Sequence, residues 1–457
     1  MSVHFEVLIF ERSRSVTSQE NPTVGGSYAR TRWRLAGMMA LIYAIQGAFW
    51  PLLAVHLRDL GIDGRGRGWI FATLALGSFA MPLGAGQLVD RLMPAQRFLA
   101  LAYVVGTAIL ATLAWGVSVT PWSLFAWFLA YWLVMAPTTV IGASLAFRNL
   151  ANPQKEFAGV RLWGTIGWMV SGWFVSLLMS HLGSSRAGQG AYEAFWVAAG
   201  LSLVLSVYSL TLPHTPPLAV GAQTASGLRA AVAMLRRREI SVFLRTAFCV
   251  CLTTPFIYQV LPTHLESRGL PRAWISTAMT LGQVPEIAAL AVLPWMFHRF
   301  RFQGTLALGI AALAVRFLSL AVDPPLWVVL AGIPLQGIGV ACFTIGGQVF
   351  MDSRAPAERR AGAQAILTVL TTGIGSLLGS VLAGEISTWF SRDSALVFLI
   401  PCLIDVALLI YFCARFRPDC ATKTQVDITD EAHPLGNDGV RGSVALTGHL
   451  VTESTDG

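Results

Sequence analysis

Charge is what this chain has least of. Only 12% of its 457 residues are Asp, Glu, Lys or Arg, against roughly 25% in an average soluble domain. Hydrophobic residues make up 54%. A soluble fold has no interior large enough to hide that much apolar surface, so the bilayer is the expected solvent. The six cysteines (Cys249, Cys251, Cys342, Cys402, Cys413 and Cys420) are scattered and show no metal-ligand spacing. They read as small apolar residues. The eight histidines form no HExxH cluster, and no paired carboxylates or nucleophile-base set appears. The expectation is therefore no enzyme, no metal and no cofactor.

The first thirty-odd residues, with Glu20-Asn21-Pro22 and Gly25-Gly26-Ser27, lack the apolar core of a cleavable signal, so the first span is expected to direct insertion. The formal charge of +8 is spread over short loops instead of one patch. That argues against nucleic acid and for a topogenic role.

What the chain has is about twelve apolar stretches, near 35–57, 68–90, 97–117, 121–146, 157–181, 192–212, 241–264, 273–297, 303–322, 325–350, 362–386 and 394–414. We number them span one to span twelve. Each holds about 20 residues or slightly more, enough for a hydrocarbon core of roughly 30 Å. The expected fold is all-α and integral to the membrane, with twelve transmembrane helices in two six-helix bundles. A polar tail (1–34) precedes the first bundle (35–212). A basic linker (213–240) leads to the second bundle (241–415), and a polar, disordered tail (416–457) follows.

Basic loops alternate along the chain: Arg30, Arg32 and Arg34; Arg91 and Arg97; Arg148 and Lys155; Arg236 to Arg238; Arg299 and Arg301; Arg354, Arg359 and Arg360; Arg415 and Arg417. All fall on one side if both termini are cytoplasmic, in the inner (plasma) membrane. Arg58, Arg65 and Arg67 are an exception. Two six-span halves around a basic linker suit a carrier whose halves rock about a central site.

Several polar groups lie within the spans, where ionisable residues point to function. Arg161, Thr165 and Trp168 stand at i, i+4 and i+7 of span five and share one helix face. A cation, a hydroxyl and a ring on one face form the wall of a solute cavity. Gln283 and Glu286 are three apart on span eight, with Pro285 between them to loosen the local backbone. Hydrocarbon disfavours a charged carboxylate, so Glu286 is either a proton carrier or a neutral hydrogen-bonded group. Gln46 and Trp50 on span one line a cavity, or Trp50 anchors the interface. Arg316 on span nine and Asp405 on span twelve are costly unless paired. They read as a structural ion pair, with a role in transport as the alternative. Gly375 and Gly379 suggest close helix packing on span eleven.

Gly86-Gln87-Leu88-Val89-Asp90-Arg91 resembles the loop motif of the major facilitator superfamily. In that reading Gly86, Asp90 and Arg91 form a cytoplasmic gate; otherwise they are a charged turn. The octet Arg161-Leu162-Trp163-Gly164-Thr165-Ile166-Gly167-Trp168, Gln283-Val284-Pro285-Glu286 and Arg360-Ala361-Gly362-Ala363-Gln364 together resemble the nucleoside:proton symporter family of that superfamily, over about residues 35–415. The resemblance implies proton-driven nucleoside uptake by a monomer, with the proton as coupling ion. It implies that Arg161, Thr165, Gln283 and Glu286 contact the solute, and that Trp168 replaces the family's phenylalanine as a stacking surface. The family's polar pair on span seven appears here as Pro255 and Tyr258, with Gln259 adjacent. Its aspartate on span ten aligns near Ala341. Rival readings are a carrier for a sugar, aromatic acid or exported drug, and a membrane sensor that moves nothing.

Overall fold

A computed structural model describes residues 22–80, 93–116, 120–182, 190–216, 236–356, 360–390 and 395–417. All of them lie in one compact unit, Met1–Pro418. Every described secondary-structure element is helical. Ten helical stretches are long and apolar enough to cross a membrane. One of these, Arg272–Ala321, is 50 residues long. Its second part turns at Arg301, where φ is 57° and ψ 178°. It therefore supplies the two arms expected as spans eight and nine. Span two is seen as Gly64–Ala80. The described helices follow the order of the expected stretches, with span two described only as far as Ala80.

Boundaries differ where caps or turns decide them. The first helix already runs from Pro22 to Phe49. It continues through the tight turn Trp50–Leu52, which Pro51 permits, into Leu53–Asp59. Span four starts at Pro121 behind the Thr120 cap, whose side chain accepts from the Ser123 N–H at 3.3 Å. Span five is Pro153–Leu182. Span seven is Arg238–Thr253, prolonged by Pro255–Gln259 and Leu261–Ser267.

Tryptophans mark the ends of the helices. Trp115, Trp122, Trp327 and Trp389 are each more than 70% exposed. By helix direction all four fall at the end opposite the termini. Amphipathic rings gathered at one level are what a membrane-water interface selects.

Glycine sets the closest helix crossing. A Cβ on Gly167 would lie 2.1 Å from the Ala40 carbonyl oxygen, and one on Gly47 would lie 2.5 Å from that of Trp168. Spans one and five therefore touch backbone to backbone. On span eleven, a Cβ on Gly379 would meet Leu252 Cα at 2.8 Å, as the small-xxx-small pattern predicts.

The apolar core is divided. One cluster fills the first half and extends into the second through Phe256, Leu261, Ile275, Phe317 and Phe398. A second cluster, including Ile240, Phe243, Ile310, Phe350 and Phe412, is confined to the second half near the linker end. Among the described residues, the halves share a core only at the end opposite the termini.

That end also resolves the arginine exception. Arg58 pairs with Asp59 at 3.0 Å and with Glu266, while Arg272 reaches Asp59 at 2.5 Å and Glu266 at 2.9 Å. Arg65 holds Glu385 through two bonds of 2.6 and 2.9 Å. These charges are neutralised between the two halves, so they do not act as free topogenic cations.

Candidate functional site

Spans one and five build one wall. Their glycine crossing brings Tyr43 under Arg161, whose guanidinium carbon lies 3.9 Å from the ring centroid. Gly164 makes the room, because a Cβ there would sit 2.6 Å from the Tyr43 ring and 2.8 Å from Arg161 Nη1. Thr165 is one turn further on, and Trp168 lies half-buried against the first core cluster. Among the described residues, the side chains of Gln46 and Thr165 make no hydrogen bond within the chain.

Trp50 is no interfacial anchor. It is 8% exposed and lies edge-on to Phe71 at 5.0 Å and Trp132 at 5.5 Å. Its ring is also 6.3 Å from Tyr258 on span seven. An aromatic cluster thus joins spans one, two, four and seven. Beside Tyr258, Gln259 is 3% exposed, and both ends of its amide lack a partner. A buried amide with nothing to bond costs about 1–3 kcal/mol, which a solute's donors and acceptors would recover.

Span eight supplies the facing wall. It is interrupted at Leu281–Gly282, between Ile275–Thr280 and Gln283–Ala321. The interruption precedes Pro285, which occupies the first helical turn where a missing N–H is tolerated. The helix therefore runs on through Pro285, and the interruption lies one turn before it. Gln283 and Glu286 stand in the same turn as Pro285, half-buried. Span ten presses on it: a Cβ on Gly337 would lie 2.2 Å from the Gly282 oxygen and 2.5 Å from the Glu286 nitrogen.

The ion pair expected of Arg316 and Asp405 is not made. Arg316, 1% exposed, donates from Nη1 to Gln336 Oε1 on span ten, while its Nε and Nη2 have no partner. Asp405 accepts from the Thr253 hydroxyl of span seven at 3.1 Å. Spans nine and twelve do meet, as the Cys402 thiol donating to the Ala314 carbonyl at 3.7 Å shows. From there Arg316 turns towards span ten and Asp405 towards span seven. Adjacency of the helices was right; the facing sides were not.

Gly86, Asp90 and Arg91 lie outside the described residues. Ala341, where the family carries an aspartate, is fully buried in a π-helical segment, Val340–Ile345. A methyl group there offers a solute no hydrogen bond. Two site residues escaped the sequence reading. Tyr43 shared its helix face with Gln46 and Trp50, at i, i+3 and i+7, and that spacing was a usable signal. Gln336 had none, since its partner is on another helix. No group of three or more His, Cys, Asp or Glu able to hold a metal occurs among the described residues.

Residues 29–421 match the family model described as Nucleoside H+ symporter. YegT of Escherichia coli strain K12 is 30% identical over 365 residues, covering 78% of this chain and 84% of that protein. The xanthosine permease of the same strain is 26% identical over 382 residues, covering 79% and 88%. A crystal structure of the nucleoside transporter NupG superposes with a TM-score of 0.74, at 22% identity, covering 85% of this chain and all of the other. That likeness shows the major facilitator fold.

Proposed function

The chain belongs to the nucleoside H+ symporter family, and from that premise we propose that it couples inward proton flow to nucleoside uptake by alternating access. Twelve spans in two rocking halves carry the solute between them. The carrying observation is the polar lining of the two halves: the Arg161 guanidinium set 3.9 Å over the Tyr43 ring on one, and the buried, unpartnered amide of Gln259 on the other. Unpartnered polar groups and rings surround the two. The base stacks on Trp168. Arg161, Thr165, Gln283 and Glu286 hydrogen-bond the solute, and Gln46, Tyr258 and Gln259 complete the lining.

Proton coupling follows from Coulomb's law. A charged Glu286 is held by Arg161, and its protonation removes that attraction. Solute and proton then jointly decide whether the two walls stay together. The protein makes no covalent intermediate, and catalysis is not among its functions.

The shared core and the ion pairs at the end opposite the termini close that end. With both termini in the cytoplasm of an inner-membrane protein, the closed end is outside and this conformation opens inward. Gly86, Asp90 and Arg91 then serve the cytoplasmic gate, and the protein works as a monomer.

The test is uptake into proteoliposomes under an imposed pH gradient. Wild-type chain should accumulate nucleoside, and Glu286→Gln should only equilibrate it. Accumulation by Glu286→Gln would remove Glu286 from coupling. A second reading, an organic-anion carrier, is favoured by Arg161 and Arg316 together, since guanidinium groups fit carboxylates. Competition between nucleosides and aromatic acids separates the two.

A further inference from the structure

At the end that carries the termini, the turn between spans eight and nine and the close of span twelve flank an open cavity of about 520 Å³. Its lining includes Arg301, Gln303, Gly304 and Phe300 from the turn, and Cys413 and Arg417 from span twelve. The two sides are tied together by the Gln303 amide, which donates to the Cys413 carbonyl at 3.3 Å. Two guanidinium groups from different helices thus face one cavity. Among the described residues no carboxylate lines it, and neither arginine has an ion-pair partner.

Both arginines are held in place by the chain around them. Arg301 has φ 57°, a left-handed conformation that disfavours any residue with a Cβ, by roughly 1–3 kcal/mol. Glycine would turn the chain there without strain, so the arginine side chain has a use of its own. Arg417 follows Phe416, which is fully buried and stacked on Phe412 at 4.4 Å. The rim is apolar. Trp295 and Phe300, 60% and 46% exposed, lie edge-on at 5.9 Å. The Arg299 guanidinium lies 5.8 Å from the Phe300 ring.

We propose that this cavity binds the phosphate of an anionic lipid headgroup. Arg301 and Arg417 take the phosphate oxygens, for which the planar guanidinium fork is suited. Gln303 stands beside them, and the acyl chains lie along Trp295 and Phe300. Basic pockets between transmembrane helices at a membrane surface have this chemistry. A free inorganic phosphate would satisfy the arginines but leave the apolar rim unused. The site is remote from the solute walls, and the proposal stands whatever solute is carried.

The experiment titrates the purified full chain in detergent with phosphatidylglycerol, phosphatidylcholine or inorganic phosphate. Bound lipid is counted by native mass spectrometry and the melting temperature is recorded. Phosphatidylglycerol should remain bound and raise the melting temperature; phosphatidylcholine should not. Removing each arginine, as Arg301→Gln and Arg417→Gln, should weaken phosphatidylglycerol binding about fivefold. Arg301→Gly should melt no lower than wild type without lipid, since glycine accepts that backbone, yet lose the same affinity. Arg236→Gln with Arg238→Gln, on the linker, should change nothing. Undiminished binding by the Arg301→Gln, Arg417→Gln double variant overturns the proposal. So does an equal loss in the linker variants, or phosphate alone stabilising the chain and displacing the lipid.

Discussion

The Arg161 guanidinium rests over the ring of Tyr43, 3.9 Å from its centroid. Span one thereby fixes the cation that span five contributes. The contact exists because Gly164 leaves space between the two side chains and because Gly47 and Gly167 let the helices touch. A cation on a ring keeps its N–H edges free for a solute. Cation–π contacts contribute about 0.5–2 kcal/mol, more where water is excluded.

Replacing Tyr43 therefore tests whether Arg161 must be held. Tyr43→Leu should raise the KM for uptake by roughly three- to tenfold, the lower part of the range expected from a cation–π contact. Tyr43→Phe should stay near wild type, because the ring and not the hydroxyl carries the contact. Equal losses in both variants would show that the hydroxyl matters instead. Initial uptake rates over a range of solute concentrations measure this.

The ring of charges at the closed end predicts a change in conformational balance. Arg272 has a side chain 1% exposed between Asp59 and Glu266. Arg272→Gln leaves Asp59 and Glu266 to share Arg58 alone, and breaking a buried pair costs up to about 3–5 kcal/mol. Labelling of a cysteine introduced at Leu60 by an impermeant thiol reagent should accelerate as the end opens. The swapped pair Arg58→Glu with Glu266→Arg should label more slowly than either single change. Unchanged labelling in Arg272→Gln would mean that the ring does not hold the halves together.

The separate partners of Arg316 and Asp405 make a quantitative prediction. Residues without a shared contact have additive effects, within about 0.3–0.5 kcal/mol. Arg316→Gln and Asp405→Asn should therefore lower the melting temperature by amounts that sum in the double variant. The swap Arg316→Asp with Asp405→Arg should be worse than either single change. A double swap as stable as wild type would restore the ion pair to consideration.

Glycine packing predicts a direct structural effect. Gly167→Ala places a Cβ 2.1 Å from the Ala40 carbonyl oxygen. Spans one and five must separate to accept it, and overpacking costs about 1–3 kcal/mol or more. Gly200→Ala, where nothing lies within 4 Å of a Cβ, should leave melting and uptake unchanged. Size-exclusion profiles and melting curves distinguish the two.

Much of this was legible before any coordinates. Twelve bilayer-length stretches and alternating basic loops carry the helix count and order, because a bilayer accepts only helices with their backbone bonds satisfied internally. Helical spacing placed Arg161, Thr165 and Trp168 on one face, and Gln283 with Glu286 on another. The interruption at Leu281–Gly282 was not legible, because Pro285 points to a loosened backbone and not to where the helix restarts. Trp50 could not be decided either, since interfacial and buried tryptophans have the same composition around them.

The sequence by itself determined the solvent, the helices and the polar face of each, since those follow from hydrophobicity and a period of 3.6 residues. Tertiary structure alone decided which faces meet. It set Arg316 on Gln336 and left Asp405 to Thr253. It drew Tyr43 under Arg161 and turned the exceptional Arg58 and Arg65 into bonds between the halves. Rotation of a helix about its axis is fixed by packing against its neighbours. No local spacing encodes that rotation.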